Sequence, residues 1–273
     1  MEGVIELADG ASLAFEDVGE GPVVTLLHPG LWDRRTWDPQ VGPLVEAGFR
    51  VLRYDFRGYG GSSRLQGESF SHARDVMALL DARGVETTAL VGGSMGGAVA
   101  IDTTLEFPAR VWALAAIASA LGGVEETDEE GAWWEERWPL IEQAMEAGDH
   151  VRARDLQLSL VWAPLGTEDD AGARIRSIAM DNIHELTMDE SAIEALDPPA
   201  LGRLGEIRVP ALVVMAAHDP PSMRRCSELI AAGISDARLV TFDDADHVVS
   251  LRTPAQLNAI LTGFLTDVGP PAG

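Results

Sequence analysis

Apolar residues in this chain fall into short runs separated by polar, glycine-rich stretches. Val23–Leu27 is apolar at all but one position, the pattern of a strand covered on both faces inside a parallel sheet. Val4–Leu7 and Ser12–Val18 read as short strands joined through Asp9-Gly10, a hairpin turn signal. The pattern then alternates. It predicts a helix from about Pro39 to Ala47, a strand over Val51–Tyr54, a loop through Arg57 to Ser63 and a helix from about Ser71 to Arg83. An apolar strand follows into Gly92, then a helix to about Phe107 and a strand over Val111–Ala118. Strands alternating with helices predict right-handed βαβ units around a parallel sheet.

From Leu121 to about Gly205 the strand signals vanish, and helical stretches rich in Glu, Ala, Arg and Trp take over. Candidate helices are Glu129–Ala147, ended by Gly148, His150–Trp162, ended by Pro164, and Asp169–Leu186. The alternating pattern resumes with a strand inside Ile207–Ala217, a helix near Met223–Ala232, the strand Arg238–Phe242 and a helix from Pro254 to Leu265. The tail from Gly269 is expected to fray. The predicted organisation is a core built from residues 1–120 and 206–273, interrupted by a helical insertion over 121–205.

With 273 residues, 46% of them hydrophobic, the chain has enough apolar material for one sizeable core. It has no apolar run of about eighteen residues, and its first residues lack the basic start and apolar stretch of a signal peptide, so a cytoplasmic location is expected. Cys226 is the single cysteine and no CxxC or HExxH spacing occurs, so neither a metal site nor a cofactor is expected. Twenty basic residues against forty-four acidic ones give a formal charge of −24, and every basic residue is Arg. The lack of lysine excludes a Schiff-base mechanism. The charge argues against nucleic acid, anionic membrane and polyanionic substrates as partners, and favours a small neutral or cationic molecule. The sequence sets no oligomeric state.

The most informative segment is Thr88 to Ala100, where an apolar strand runs into Gly92-Gly93-Ser94-Met95-Gly96-Gly97 and a helix-forming stretch follows. A Gly-x-Ser-x-Gly turn of this kind is a nucleophile elbow, with the serine in a strained strand-to-helix corner and glycines where a Cβ would collide. A serine hydroxyl is a poor nucleophile at neutral pH. It needs a base to take its proton, best a histidine, and that histidine needs an orienting carboxylate.

Several separate segments give the chain a resemblance to the α/β-hydrolase family from about residue 3 to 266. They are Leu27-His28-Pro29-Gly30, Asp55-x-Arg57-Gly58-x-Gly60-x-Ser62, the elbow at Ser94, Ala217-His218-Asp219-Pro220, and Asp246-His247 before the last helix. The resemblance implies a mostly parallel central sheet flanked by helices, with the inserted helices forming a lid. It also implies Ser94 as nucleophile, Asp219 as acid and His247 as base, in the chain order this fold uses. The family includes esterases, lactonases, carbon–carbon bond hydrolases, cofactor-free haloperoxidases and dehalogenases, so the fold alone does not choose a reaction. A serine in the elbow disfavours haloalkane and epoxide chemistry. What remains is hydrolysis of a small, largely apolar ester or lactone through an acyl-enzyme. Alternatives are carbon–carbon bond hydrolysis, perhydrolysis, or a binding protein that keeps the triad without turnover.

Competing residues follow from position. His247 is expected in an exposed polar loop after Asp243–Asp246; His218 is its nearest rival, and Asp244 and Asp246 compete with Asp219. His72, His150 and His184 fall on expected helices and should be solvated. Backbone N–H groups are the usual means of holding a developing oxyanion. Met95 should supply one, and by resemblance the second comes from the loop after the third strand. Pro29 has no N–H, which leaves Gly30, with Leu31 as the fallback; His28 is expected to support that loop. The Asp55–Ser62 segment is Gly-rich but lacks the Gly-Lys-Ser/Thr ending of a phosphate loop, and Asp55 and Arg57 are expected to pair. Trp133, Trp134, Trp138 and Trp162 should hold the inserted helices together, with one or two lining an apolar substrate pocket. Glu125, Glu126, Asp128, Glu129 and Glu130 are expected to form a solvated face.

Overall fold

The structure is a computed structural model describing residues 1–65 and 69–270; residues 271–273 of the tail expected to fray lie outside the described residues. Eight strands form one sheet: β1 (Glu2–Glu6), β2 (Ser12–Val18), β3 (Val23–Leu27), β4 (Arg50–Tyr54), β5 (Thr88–Gly93), β6 (Val111–Ile117), β7 (Ala211–Ala216) and β8 (Ala237–Phe242). Their spatial order is β1-β2-β4-β3-β5-β6-β7-β8. β1 and β2 enter antiparallel, and every pairing from β4 onward is parallel. The strands β3, β5 and β6 are buried at every position, because helices cover both of their faces.

Helices α1 (Asp38–Glu46) and α9 (Pro254–Val268), the latter preceded by the short α8 (Val249–Arg252), cover one face, where Leu44, Leu257, Leu261 and Phe264 pack on Val24, Val91, Ala115 and Val214. Helices α2 (His72–Ala82), α3 (Met95–Glu106) and α7 (Pro221–Gly233) cover the other, burying Val76, Leu80, Ile101 and Ile230 against Leu27, Leu90 and Val213. Because β3, β5, β7 and β8 run parallel, the loops that leave their carboxyl ends emerge along one edge of the sheet. Those loops carry Gly30, Ser94, Asp219 and His247.

Between β6 and β7 the chain is helical: α4 (Asp128–Glu146), α5 (His150–Gln157) and α6 (Asp170–Asp181). Thr127 caps α4 in a capping box with Glu130, which explains its sharp start. Two expected helices are shorter than their patterns suggest. The helix expected over His150–Trp162 stays α-helical only to Gln157 and continues as a π turn over Leu158–Trp162. The one expected over Asp169–Leu186 stops at Asp181, because Asn182 leaves helical geometry and spends its side chain on tertiary hydrogen bonds. β7 begins only at Ala211, after Pro210, and residues 200–206 ahead of it form a 3₁₀ helix. No helix among the described residues is long and apolar enough to cross a membrane.

Candidate active site

Ser94 sits between β5 and α3 at φ 49° and ψ −117°. Only three described non-glycine residues have positive φ, Leu31, Ser94 and Ala118, and each follows the carboxyl end of a central strand. Local strain of this kind persists only where surrounding structure fixes it. Here the Ser94 N–H donates to Ile117 O at 3.0 Å, and its carbonyl accepts from Gly97, Ala98 and Ala120. A Cβ on Gly92 would lie 2.0 Å from Gly96 O, and one on Gly96 would lie 2.3 Å from Leu27 O. Gly97 is also needed, since its Cβ would meet Ser119 Oγ at 2.3 Å. Strand, helix and neighbouring loop therefore approach backbone to backbone, leaving the half-buried serine at the tip.

His247 and Asp219 are both buried and joined by a hydrogen bond of 2.7 Å between Nδ1 and Oδ1. With Nδ1 donating to the carboxylate, Nε2 is left as the acceptor. Burial pushes the Asp219 carboxyl up, and the neighbouring imidazole opposes that shift. The His247 loop is not exposed as its polar sequence suggests. Asp243 and Asp244 face solvent, but His247 retains only 5% exposure and Asp246 none. Asp246 is held by Arg252 at 2.8 Å, and the same guanidinium reaches Gly166 O in the insertion at 2.8 Å. Both Asp246 carboxylate oxygens are thus engaged by Arg252. His218 is exposed, with its backbone N–H bonded to Ala245 O. No hydrogen bond joins Ser94 Oγ to His247 among the described residues. The imidazole is instead flanked by Trp162 at 4.4 Å and Trp32 at 6.3 Å, centroid to centroid.

The β3 loop lies beside the elbow. A Cβ on Gly30 would sit 3.8 Å from Met95 Sδ and 3.8 Å from the Tyr59 hydroxyl, so Gly30 borders both. Met95 opens α3, so its N–H has no partner within the helix. His28 is fully buried, and its Nε2 accepts from the Phe56 N–H at 2.9 Å, which sets its Nδ1 as the donor to Pro29 O at 2.8 Å. Burial holds this imidazole neutral by lowering its pKa. It bridges the loops after β3 and β4, the supporting role expected of it.

Other expectations change. Asp55 does not pair with Arg57: it pairs with Arg34 and accepts from the Gly61 N–H, while Arg57 is bound by Asp75 and Asp9. His72 is buried rather than solvated, its ring edge-on to Phe56 and Phe70. His184 is half-buried against Gly58 O, and His150 is half-buried at the start of α5. Glu130 leaves the acidic face to bind Arg225, whereas Glu125, Glu126, Asp128 and Glu129 are exposed or partly so. Of the four tryptophans only Trp162 touches His247. Trp134 lies behind it at 6.0 Å, tilted by 58°, and Trp133 and Trp138 pack on Trp134, with Trp138 39% exposed at the outer end.

One structural residue escaped the sequence reading. Asn182, almost fully buried, donates to Asp33 Oδ2 at 2.8 Å and accepts from the Gly60 N–H at 2.9 Å, which ties the insertion to the loops after β3 and β4. A lone Asn at a helix end carries no signal of such a partner. Among the described residues no group of three or more His, Cys, Asp or Glu is placed to hold a metal ion.

The alpha/beta hydrolase fold family model matches residues 22–254. A putative carbamate hydrolase, RutD, of Variovorax paradoxus is 29% identical over 86% of this chain and 88% of its own length. A 2-hydroxy-6-oxo-6-phenylhexa-2,4-dienoate hydrolase of Comamonas testosteroni is 28% identical over 92% of this chain and 90% of its own. Among solved structures, the enol-lactonase of Burkholderia xenovorans superposes with a TM-score of 0.75 at 25% identity, covering 94% of this chain and 98% of that one. The chain belongs to the alpha/beta hydrolase fold family and is a hydrolase of that family.

Proposed function

We propose that the chain hydrolyses a small, largely apolar carboxylic ester or lactone, with Ser94, His247 and Asp219 acting as a triad. The observation that carries this reading is the strained Ser94, held at a positive φ by glycines that admit no Cβ. Ser94 Oγ attacks the acyl carbon while His247 Nε2 takes its proton. Asp219 holds the imidazole by Nδ1 and stabilises the imidazolium that forms. The N–H groups of Met95 and Gly30 receive the negative charge developing on the carbonyl oxygen. His247 then returns the proton to the leaving oxygen, and water, deprotonated in the same way, releases the acid.

The inserted helices serve as a lid. Leu31, Trp32, Leu158, Trp162 and Val248 belong to one apolar cluster, of which Trp32 and Trp162 flank His247, and this suits an apolar acyl or alcohol group. The net charge of −24 further favours neutral or cationic substrates. A second reading, carbon–carbon bond hydrolysis, is supported by the Comamonas relative, whose name specifies a hydroxy-oxo-dienoate rather than an ester. A panel of chromogenic esters, lactones and vinylogous diketones, assayed with the wild type and Ser94→Ala, separates the two. Fast ester or lactone turnover that vanishes in Ser94→Ala supports the first reading. Turnover of diketones alone replaces it with the second, and a single slow turnover of every compound points to a receptor.

A further inference from the structure

A cleft separate from His247 and Asp219 opens between the start of α2, one face of α3 and the segment Ile193–Asp197, with a volume near 370 Å³. Met95, Ala98, Val99 and Asp102 line it at the spacing of a single helical face. Ile193 and Leu196 complete an apolar wall. Two polar side chains in the cleft have no protein partner. Asp102 makes no hydrogen bond or ion pair among the described residues, although its Oδ1 is buried. His72 is more than nine-tenths buried, and its Nδ1 has no hydrogen-bond partner among the described residues.

Buried polar groups in folded proteins are nearly always hydrogen-bonded, and two side chains with orphaned polar atoms lining one cavity mark a place where something binds. The sign of the occupant follows from the lining. Asp102, Glu106, Glu194 and Asp197 face the cavity against one arginine, Arg74, which already pairs with Glu194. We propose that this cleft is a binding site for a small amphipathic cation of the alkylammonium class, with the ammonium donating to Asp102 and His72 and the alkyl chain lying along Met95, Val99 and Leu196. The site does not depend on the reaction proposed for Ser94. Its occupant nevertheless lies one side chain from the Gly30 loop, because Met95 walls the cleft and borders Gly30.

Protonation gives a second handle. Burial, reinforced by Glu106 and opposed by Arg203, raises the Asp102 carboxyl to about 6. His72, lowered to about 3 chiefly by burial, stays neutral above that range. Arg74, Glu194 and Asp197 are the remaining charged groups facing the cleft. Affinity for a cation should therefore fall roughly tenfold between pH 7.5 and pH 5, following the ionised fraction of Asp102.

The test is calorimetric titration of the full chain with n-butylammonium chloride, with n-butanol and sodium butyrate as controls. Saturable 1:1 binding of the ammonium, at least about tenfold tighter than either control, is expected. Binding should survive in Ser94→Ala, weaken at least about tenfold in the near-isosteric Asp102→Asn, and be blocked by Ala98→Phe, which fills the cleft. Far-UV circular dichroism of each variant establishes that it is folded. Absence of saturable binding in the wild type, or unchanged affinity in folded Asp102→Asn and Ala98→Phe, overturns the proposal.

Discussion

The indole of Trp162 lies 4.4 Å from the imidazole of His247, centroid to centroid and tilted by 42°. Asp219 fixes one edge of that imidazole and Trp162 one face, so the orientation of the proposed base is set jointly by the core and the insertion. Aromatic contacts of this kind contribute about 0.5–1.5 kcal/mol beyond the area they bury, equivalent to a few-fold to tenfold in rate if the contact serves the transition state. Trp162→Ala should lower kcat about tenfold, while Trp162→Phe, which keeps a ring, should stay within about threefold. Steady-state kinetics on the best ester of the panel decide this. An unchanged kcat in Trp162→Ala would show that the contact only packs the inserted helices.

Asp219 and Asp246 provide a second discrimination. Removing the charge that holds the imidazole costs up to about 10⁴ in kcat in serine-protease triads, so Asp219→Asn should lose at least about a hundredfold. Asp246→Asn should keep kcat within about tenfold but cost about 1–3 kcal/mol of stability, because Arg252 loses a charged partner while buried. His218→Gln, altering an exposed side chain, should stay within about tenfold. Kinetics and urea denaturation of the three variants separate catalysis from support. A crippled Asp246→Asn beside an active Asp219→Asn would reassign the acid.

Both residues of this comparison stand out in sequence, but their surroundings are not equally legible there. The order Ser94, Asp219, His247 and the strand preceding each are legible because they depend on local pattern and chain direction. The setting of His247 is not. Asp243–Asp246 reads as a solvated turn, yet Asp246 is drawn inside by Arg252, which also holds the insertion. The same limit applies to Asn182 and Asp33, whose bond spans 149 residues, and to Arg57, which chose Asp75 over the nearby Asp55. Side-chain bonds across such separations leave no periodicity to read. The β-strands and covering helices do leave one, and they fall within a few residues of expectation.

Asp33 links stability to pH. Burial alone would raise its carboxyl, but bonds from Arg35 and Asn182 outweigh that and hold it at about 2, against 3.8 for a free side chain. A carboxyl depressed on folding stabilises the native state above its unfolded pKa, and that contribution fades as pH falls through the folded one. At pH 7 it is about 2 kcal/mol. Asp33→Asn should therefore be less stable than the wild type by about that amount at neutral pH, with the gap closing between pH 4 and pH 2. Urea denaturation across that range checks it, and a gap independent of pH would contradict it.

The glycines divide by the space around them. Gly96→Ala should destroy the elbow, since its Cβ would meet backbone oxygens of both Leu27 and His28. Gly263, inside α9 with nothing within 4 Å, should gain about 0.5–1 kcal/mol on replacement by Ala. Thermal denaturation and ester turnover of both variants provide the comparison. A stable, active Gly96→Ala would show that the turn is not as tight as the structure makes it.

The central claim is that Ser94 is the nucleophile, and covalent labelling tests it most directly. A fluorophosphonate should modify the wild type stoichiometrically, with peptide mapping placing the adduct on Ser94. Ser94→Ala should lose both labelling and turnover, the latter by a factor on the order of 10⁶. Labelling that persists in Ser94→Ala together with near-wild-type activity would contradict the account.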